Sequence, residues 1–221
     1  VKTIGIAIPV YGNNNLTYTK TTILESLQNS TIKPTKVSLS ISGANDIGSF
    51  ENYDFELITT VNSDRKNAAQ NRNIAANKLD TDIISFMDSD DLPHIQRNEF
   101  ILNAFETSNT QAVVHNYEMG MHVDENYNTI KFNINDFRND FYLDVIDDIN
   151  TGQPWPASSN RNLWFPVHNA HVSVLKPVFE NIKFNEEYAI ERAEDSAFNK
   201  SLVQNGIRIS IINLKLSWYR R

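Results

Sequence analysis

Asp88-Ser89-Asp90-Asp91 sets three carboxylates in four residues, directly after the apolar run Ile83-Ile84-Ser85-Phe86-Met87. At neutral pH such a cluster repels itself unless solvent or a cation neutralises it. A hard divalent ion, Mn²⁺ or Mg²⁺, prefers oxygen ligands and keeps open positions that suit a diphosphate. The plainer alternative is a solvated turn in which Asp91 caps the next helix. A second acidic segment, Glu191-Arg192-Ala193-Glu194-Asp195, opens a helical pattern. A helix dipole and free N–H groups hold a carboxylate there ionised and oriented, as a general base requires. Its alternative is an ordinary acidic helix start.

These groups need a scaffold, and the first ninety residues supply its pattern. Thr3–Val10, Lys36–Ser42, Phe55–Val61 and Asp82–Met87 read as strands. Leu16 to Asn29 and Asn67–Leu79 read as helices, the first preceded by an Asn triplet that can cap it. This β-α-β-β-α-β rhythm with apolar strands predicts a mostly parallel α/β sheet flanked by helices. In such sheets ligands bind outside the carboxyl ends of the strands, where Asp88–Asp91 falls. Beyond residue 92 the texture is more variable. His94–Glu106 reads as a helix, Gln111–Tyr117 and Val167–Leu175 as strands, Glu194–Gln204 as a helix and Ile207–Asn213 as a last strand. One domain over 1–221 is expected, with a nucleotide-type half at 1–92 and a variable half at 93–221.

Composition removes whole classes of function. The absence of Cys excludes a disulfide scaffold, a thiolate zinc site and a cysteine nucleophile. Twelve Phe, eight Tyr and three Trp in 221 residues exclude a disordered chain. A formal charge of −7 argues against a polyanion-binding surface, so no nucleic-acid partner is expected. It does not exclude a diphosphate, which local groups hold. No stretch approaches the roughly 18–20 apolar residues that span a bilayer, and a soluble cytoplasmic domain is the reading. The missing initiator Met suggests a processed chain or one domain of a longer protein.

Ile8-Pro9-Val10-Tyr11 on the first strand, Asn71-Arg72-Asn73 on a helix and Phe86-Met87-Asp88-Ser89-Asp90-Asp91 occur in an order and spacing that resembles GT-A fold (Rossmann-like) glycosyltransferases, family-2-like ones above all. The likeness covers most of the chain and would suit a module of a large enzyme such as some large DNA viruses encode. It implies a nucleoside diphosphate sugar as donor, with UDP linkage expected, Mn²⁺ or Mg²⁺ at a DxD motif, and a glycan or glycoprotein acceptor. Asp88 would contact ribose or sugar, and Asp90 would bind the cation with Asp88 and Ser89 beside it. His168 is a candidate third metal ligand, a hydrogen-bonded structural His being the alternative. Pro9, Val10 and Tyr11 fall where such enzymes place the base, and Tyr11 either flanks it or is a strand-end aromatic.

The likeness breaks at the second strand. Relatives commonly end it in Asp-Gly-Ser, whose Asp reads uracil, whereas this chain has Ser42-Gly43-Ala44. Asp64 is a candidate substitute. Arg72 and Lys66 are aimed either at donor phosphate or the acidic turn, or serve as plain ion pairs. Phe184-Asn185-Glu186-Glu187 followed by Glu194-Asp195 resembles the acceptor-side signature, which makes Asp195 the candidate base of an inverting transfer and Glu194 its neighbour. Trp218-Tyr219-Arg220-Arg221 lies where relatives close over the donor, so Arg220 is a candidate diphosphate contact or part of a frayed end. Trp155, Trp164 and Phe165 form a candidate sugar-stacking surface. A sugar nucleotidyltransferase is the alternative enzyme, although no Gly-rich phosphate loop follows the first strand. A non-catalytic saccharide-binding module is the other alternative.

Overall fold

The computed structural model describes residues 1–134, 140–142, 171–187 and 194–220. Its first strand, β1 (Ile4–Tyr11), shows how the scaffold is specified. Ile4, Ile6, Ile8 and Val10 enter one core and Ala7 enters a second, so the alternation of side chains buries both faces. The small residues are required on the second face. A Cβ on Gly5 would meet the Thr81 hydroxyl at 2.5 Å. Ala69, Ala75 and Ala76 of helix α3 (Ala68–Asn77) share that core with Ala7, which allows helix and strand to approach closely.

β1 pairs in parallel with β2 (Lys36–Ser42) on one side and β4 (Ile83–Phe86) on the other. β2 pairs in parallel with β3 (Glu56–Val61). This block is the parallel sheet expected from the sequence. Past β4 the pairing changes hand. The order is β3-β2-β1-β4, then β8 (Val172–Leu175), β6 (Ala112–Gly120), β9 (Ile209–Arg220) and β5 (Leu92–Pro93), with β7 (Asp140–Tyr142) beside β9. β8 lies antiparallel between β4 and β6, and β6 runs parallel to β9. Helices α2 (Leu24–Gln28) and α4 (Arg97–Thr107) pack on one face. Helices α3, α5 (Lys176–Asn181) and α6 (Glu194–Gln204) cover the other, where Phe86, Phe179, Phe184 and Phe198 interlock.

Several local expectations need correcting. The first helix begins at Gly12, as α1 (Gly12–Tyr18), and passes through a π-helical turn at Thr19–Ile23 before α2. The Asn triplet therefore lies inside the helix, and Asn13 instead accepts from the Asn45 N–H. Asp91 does not cap α4, whose first flanking residue is Gln96 with no side-chain cap. The last strand runs past Asn213 to Arg220 because Leu216 and Trp218 are buried against the sheet. β5 (Leu92–Pro93) pairs with that extension at Trp218 and Ser217. Of the expected strand Val167–Leu175, residues 167–170 fall outside the described part.

Two buried histidines make the fold sensitive to acid. A carbonyl can only accept, so the contact to the Ile130 carbonyl places the His94 proton on Nε2, and Nδ1 then accepts from the Gln96 N–H. His115 is the opposite tautomer: Nε2 accepts from Arg97 Nε at 3.0 Å, and Nδ1 donates to the Asn116 carbonyl. Burial holds both rings below the ordinary imidazole value, with Arg97 pushing His115 further. A depressed folded value means stability is full above about pH 6.5 and is lost as pH falls, by about 1.4 kcal/mol per unit per histidine. Asp91, whose carboxyl is raised, acts in the opposite direction. The check is therefore a difference: between pH 7.5 and 5.0, His94→Gln should lose less stability than wild type in urea melts. Equal losses would remove His94 from this account.

Candidate active site

The carboxyl end of β1, the start of α3 and the turn after β4 enclose a cleft of about 610 Å³. Pro9, Tyr11, Arg65, Lys66, Asn71, Arg72, Asp88, Ser89 and Asp90 contribute to its walls. Each comes from a place where local sequence controls the backbone. Asn67 and Gln70 form a reciprocal capping box that starts α3 beside the cleft. Ser89 is buried, and its carbonyl accepts from Thr19 Oγ1 in the π-helical turn. Tyr11 is 45% exposed, with the Arg65 guanidinium 4.9 Å from its ring centre.

Gly43 sits under that ring. Its φ is +68°, and a Cβ there would lie 2.8 Å from Tyr11 Cε2. Gly206 has φ of +65° with nothing near its missing side chain. Gly43→Ala and Gly206→Ala should both pay about 1–3 kcal/mol of backbone strain. Only the former should also displace Tyr11 from the cleft wall and so cost more stability, which parallel urea melts will measure.

Asn71, Arg72 and Asn73 are consecutive, buried and turned three ways. Asn71 Oδ1 accepts from Ser40 and Asn62, while its Nδ2 donates to the Ser42 hydroxyl and the Lys66 carbonyl. Asn73 Nδ2 donates to the Phe184 carbonyl and Glu186, and its Oδ1 accepts from the Phe184 N–H. Arg72 Nη2 donates to Asp88 Oδ1 at 2.6 Å, and Nη1 donates to Glu194 Oε1 at 3.0 Å. Asp195 Oδ1 lies 3.6 Å from the same Nη1. Burial favours loss of the Arg72 proton, but Asp88, Asp195 and Glu194 outweigh it and hold the guanidinium more firmly charged than usual. One cation thus draws together the acidic turn, 16 residues along the chain from it, and the first turn of α6, 122 residues from it.

The remaining candidates are placed as follows. Val10 is buried in the core, and Ser42 supports Asn71, so neither lines the cleft. Asp64 is exposed outside the lining and pairs with Lys66, which keeps its carboxyl below the ordinary range. The Arg220 guanidinium lies 3.9 Å from the Tyr18 ring centre, and its backbone N–H donates to Asp91 Oδ1. His168, Trp155, Trp164, Phe165 and Arg221 lie outside the described residues. Sequence reasoning missed the layer beneath the site. Asp91 is fully buried, 3.7 Å from His171 Nε2, and burial, then Asp88 and Asp90, push its carboxyl well above the usual range. Arg97, also fully buried, donates to the Phe86 carbonyl at the end of β4, and burial brings it down to about 10. Arg97 stands in the polar run Gln96-Arg97-Asn98-Glu99, which gives no sign in sequence that it is buried.

The donor set decides what cation could bind. Among the described residues no group of three His, Asp or Glu side chains forms a cage. Asp88 and Asp90 nevertheless present hard oxygens to one cleft. That fits a cation which takes one or two carboxylates and completes its shell with water and phosphate.

The sequence matches the Glycosyl transferase family 2 model over residues 6–164. The chain belongs to this family. Its architecture is the GT-A fold, and the solved structures similar to it include S. aureus TarS 1–349 in complex with UDP-GlcNAc. That match has a TM-score of 0.69 at 15% identity and covers 99% of this chain and 58% of the other. The complex of TarS 1–349 with UDP gives 0.66 at 14% identity, covering 99% and 60%. Against S. aureus TarS the shares are 99% and 37%. This family-2 chain therefore spans about 60% of the length of the first structures it resembles. No curated protein sequence matches it. Among the described residues no helix is long and apolar enough to cross a membrane.

Proposed function

We propose that the protein transfers a sugar from a nucleoside diphosphate donor to an acceptor hydroxyl of a glycan, with inversion. The observation that carries this reading is the convergence on Arg72 of Asp88, beside the cleft, and Glu194-Asp195, from the far part of the chain. A donor site alone has no use for the second acidic segment. A transfer site needs a base on the side opposite the leaving group.

In this mechanism the cleft holds the nucleotide against Pro9 and Tyr11 and the diphosphate at the acidic turn, with Arg65 and Lys66 at its edge. Asp195, at the start of α6, takes the proton of the acceptor hydroxyl as its oxygen bonds to the anomeric carbon. The bond from that carbon to the diphosphate oxygen breaks, and the nucleoside diphosphate leaves. Asp90 and Asp88 would hold Mn²⁺ or Mg²⁺, which when bound supplies positive charge for the leaving diphosphate. Arg220, tied to the back of the acidic turn, completes the donor side. The UDP and UDP-GlcNAc complexes of TarS make UDP-sugars the first donors to test.

The test is a panel of nucleotide sugars with Mn²⁺ and simple glycan acceptors, read for nucleoside diphosphate release and product anomer. Transfer with an inverted anomeric centre is expected. Retention would remove Asp195 as base, and nucleoside triphosphate formed from sugar nucleotide and pyrophosphate would replace the reading with nucleotidyl transfer.

A further inference from the structure

Arg72 lines the cleft, and a guanidinium beside a diphosphate site is ordinarily read as a phosphate ligand. Its geometry here serves something else. Both Nη atoms already donate to carboxylates, one on the acidic turn and one on α6, and the side chain is 5% exposed. The Phe184 ring centre lies 5.6 Å from its guanidinium carbon. That ring is stacked in turn on Phe198 of α6 at 4.1 Å. Asn71 and Asn73 fix the α3 backbone on either side, to β2 and to the Phe184 segment. The guanidinium is therefore held in one orientation by its own helix, by an aromatic wall and by three acids. What it fixes is the first turn of α6.

We infer that Arg72 is a positioning residue for the transfer: it clamps the start of α6, and with it the Asp195 carboxylate, against the donor turn at Asp88. This rests on the proposed transfer and adds the element that aligns donor and base. Misplacing a reacting group by about 1 Å can cost on the order of 100-fold in rate. A lysine keeps the charge but not the two-pronged donor geometry, so it restores only part of the function.

The test compares wild type, Arg72→Gln and Arg72→Lys in steady-state transfer, UDP-induced thermal shift and amide hydrogen exchange. For Arg72→Gln the expected result is kcat lower by roughly 100-fold, with donor KM and the UDP shift changed by less than about threefold. Exchange at 194–198 should quicken, while that in β1 and β2 stays as in wild type. Arg72→Lys should recover about tenfold of the lost kcat, and it supplies the same readouts if the Gln variant folds poorly. A tenfold or greater rise in donor KM with kcat retained would make Arg72 a phosphate ligand and overturn the inference. So would a kcat that, corrected for folded fraction, equals wild type. If wild type transfers from no donor, the reading of the function fails with it; transfer by wild type with an unchanged Arg72→Gln sinks the clamp alone.

Discussion

If Asp195 is the base of the proposed transfer, Asp195→Asn should cut sugar transfer severely and leave nucleotide binding in place. The substitution keeps the size of the side chain and removes only its capacity to take a proton. A positioned general base contributes about 10²–10⁴-fold, so kcat should fall by roughly a thousandfold. Donor affinity should hold because Asp195 is not among the cleft residues that would contact the nucleotide. Folding should hold as well, since the side chain is 20% exposed and its contact to Arg72 is, at 3.6 Å, the longest of that guanidinium's three carboxylate contacts. Initial rates with a saturating donor, paired with UDP-induced thermal shifts, give the two quantities. A variant that transfers at more than a tenth of the wild-type rate would move the base elsewhere. Glu194→Gln differs in kind, because Glu194 is nearly buried and bonded to Arg72, and its loss should lower stability together with rate.

The parts of this molecule that were legible beforehand are those where one residue type has one place to go. β1 and β4 are apolar at nearly every position and β2 alternates Val37, Leu39 and Ile41 with small serines, and only a sheet covered by helices accommodates that. The alanines of α3 announce close packing, and the helical pattern that opens at Asn67 starts where the helix does. The acidic turn was legible because an apolar strand must end before three carboxylates. The second half was less so. β8 enters the sheet antiparallel between β4 and β6, a pairing that its four residues do not encode. β9 was cut short because Asn213, Lys215 and Ser217 interrupt its apolar pattern. Asn213 and Lys215 are exposed there, where β9 bulges: it advances from Ile212 to Lys215 to Ser217 while β6 advances only from His115 to Asn116 to Tyr117. Burial of polar groups was the least visible. Asp91, His115, His171, Arg97 and Asn71 are all hidden, and each is held by partners remote in the chain. Asp91 and Asp90 are adjacent and chemically identical, yet one is buried beside a histidine and the other lines the cleft.

That contrast makes Asp90→Ala the other large effect. Asp90 and Asp88 are the cleft-facing acids of the turn, and Asp88 is already shared with Arg72. Asp90 faces the cleft and is not one of the three acids paired with Arg72, so its removal should leave the ion-pair frame of α3, the turn and α6 standing. Positive charge at a leaving phosphate is worth several kcal/mol in the transition state, so transfer should drop by about 10²–10⁴-fold. The loss should appear in binding too. UDP with Mn²⁺ should raise the wild-type melting temperature more than UDP with EDTA, because a ligand bound only by the folded state stabilises it by mass action. In Asp90→Ala the two shifts should coincide. The melting temperature without ligand should not fall, and removing one of three crowded carboxylates relieves repulsion on Asp91. If the variant keeps its Mn²⁺-dependent shift and its transfer rate, the cation is held elsewhere and the acidic turn serves structure alone.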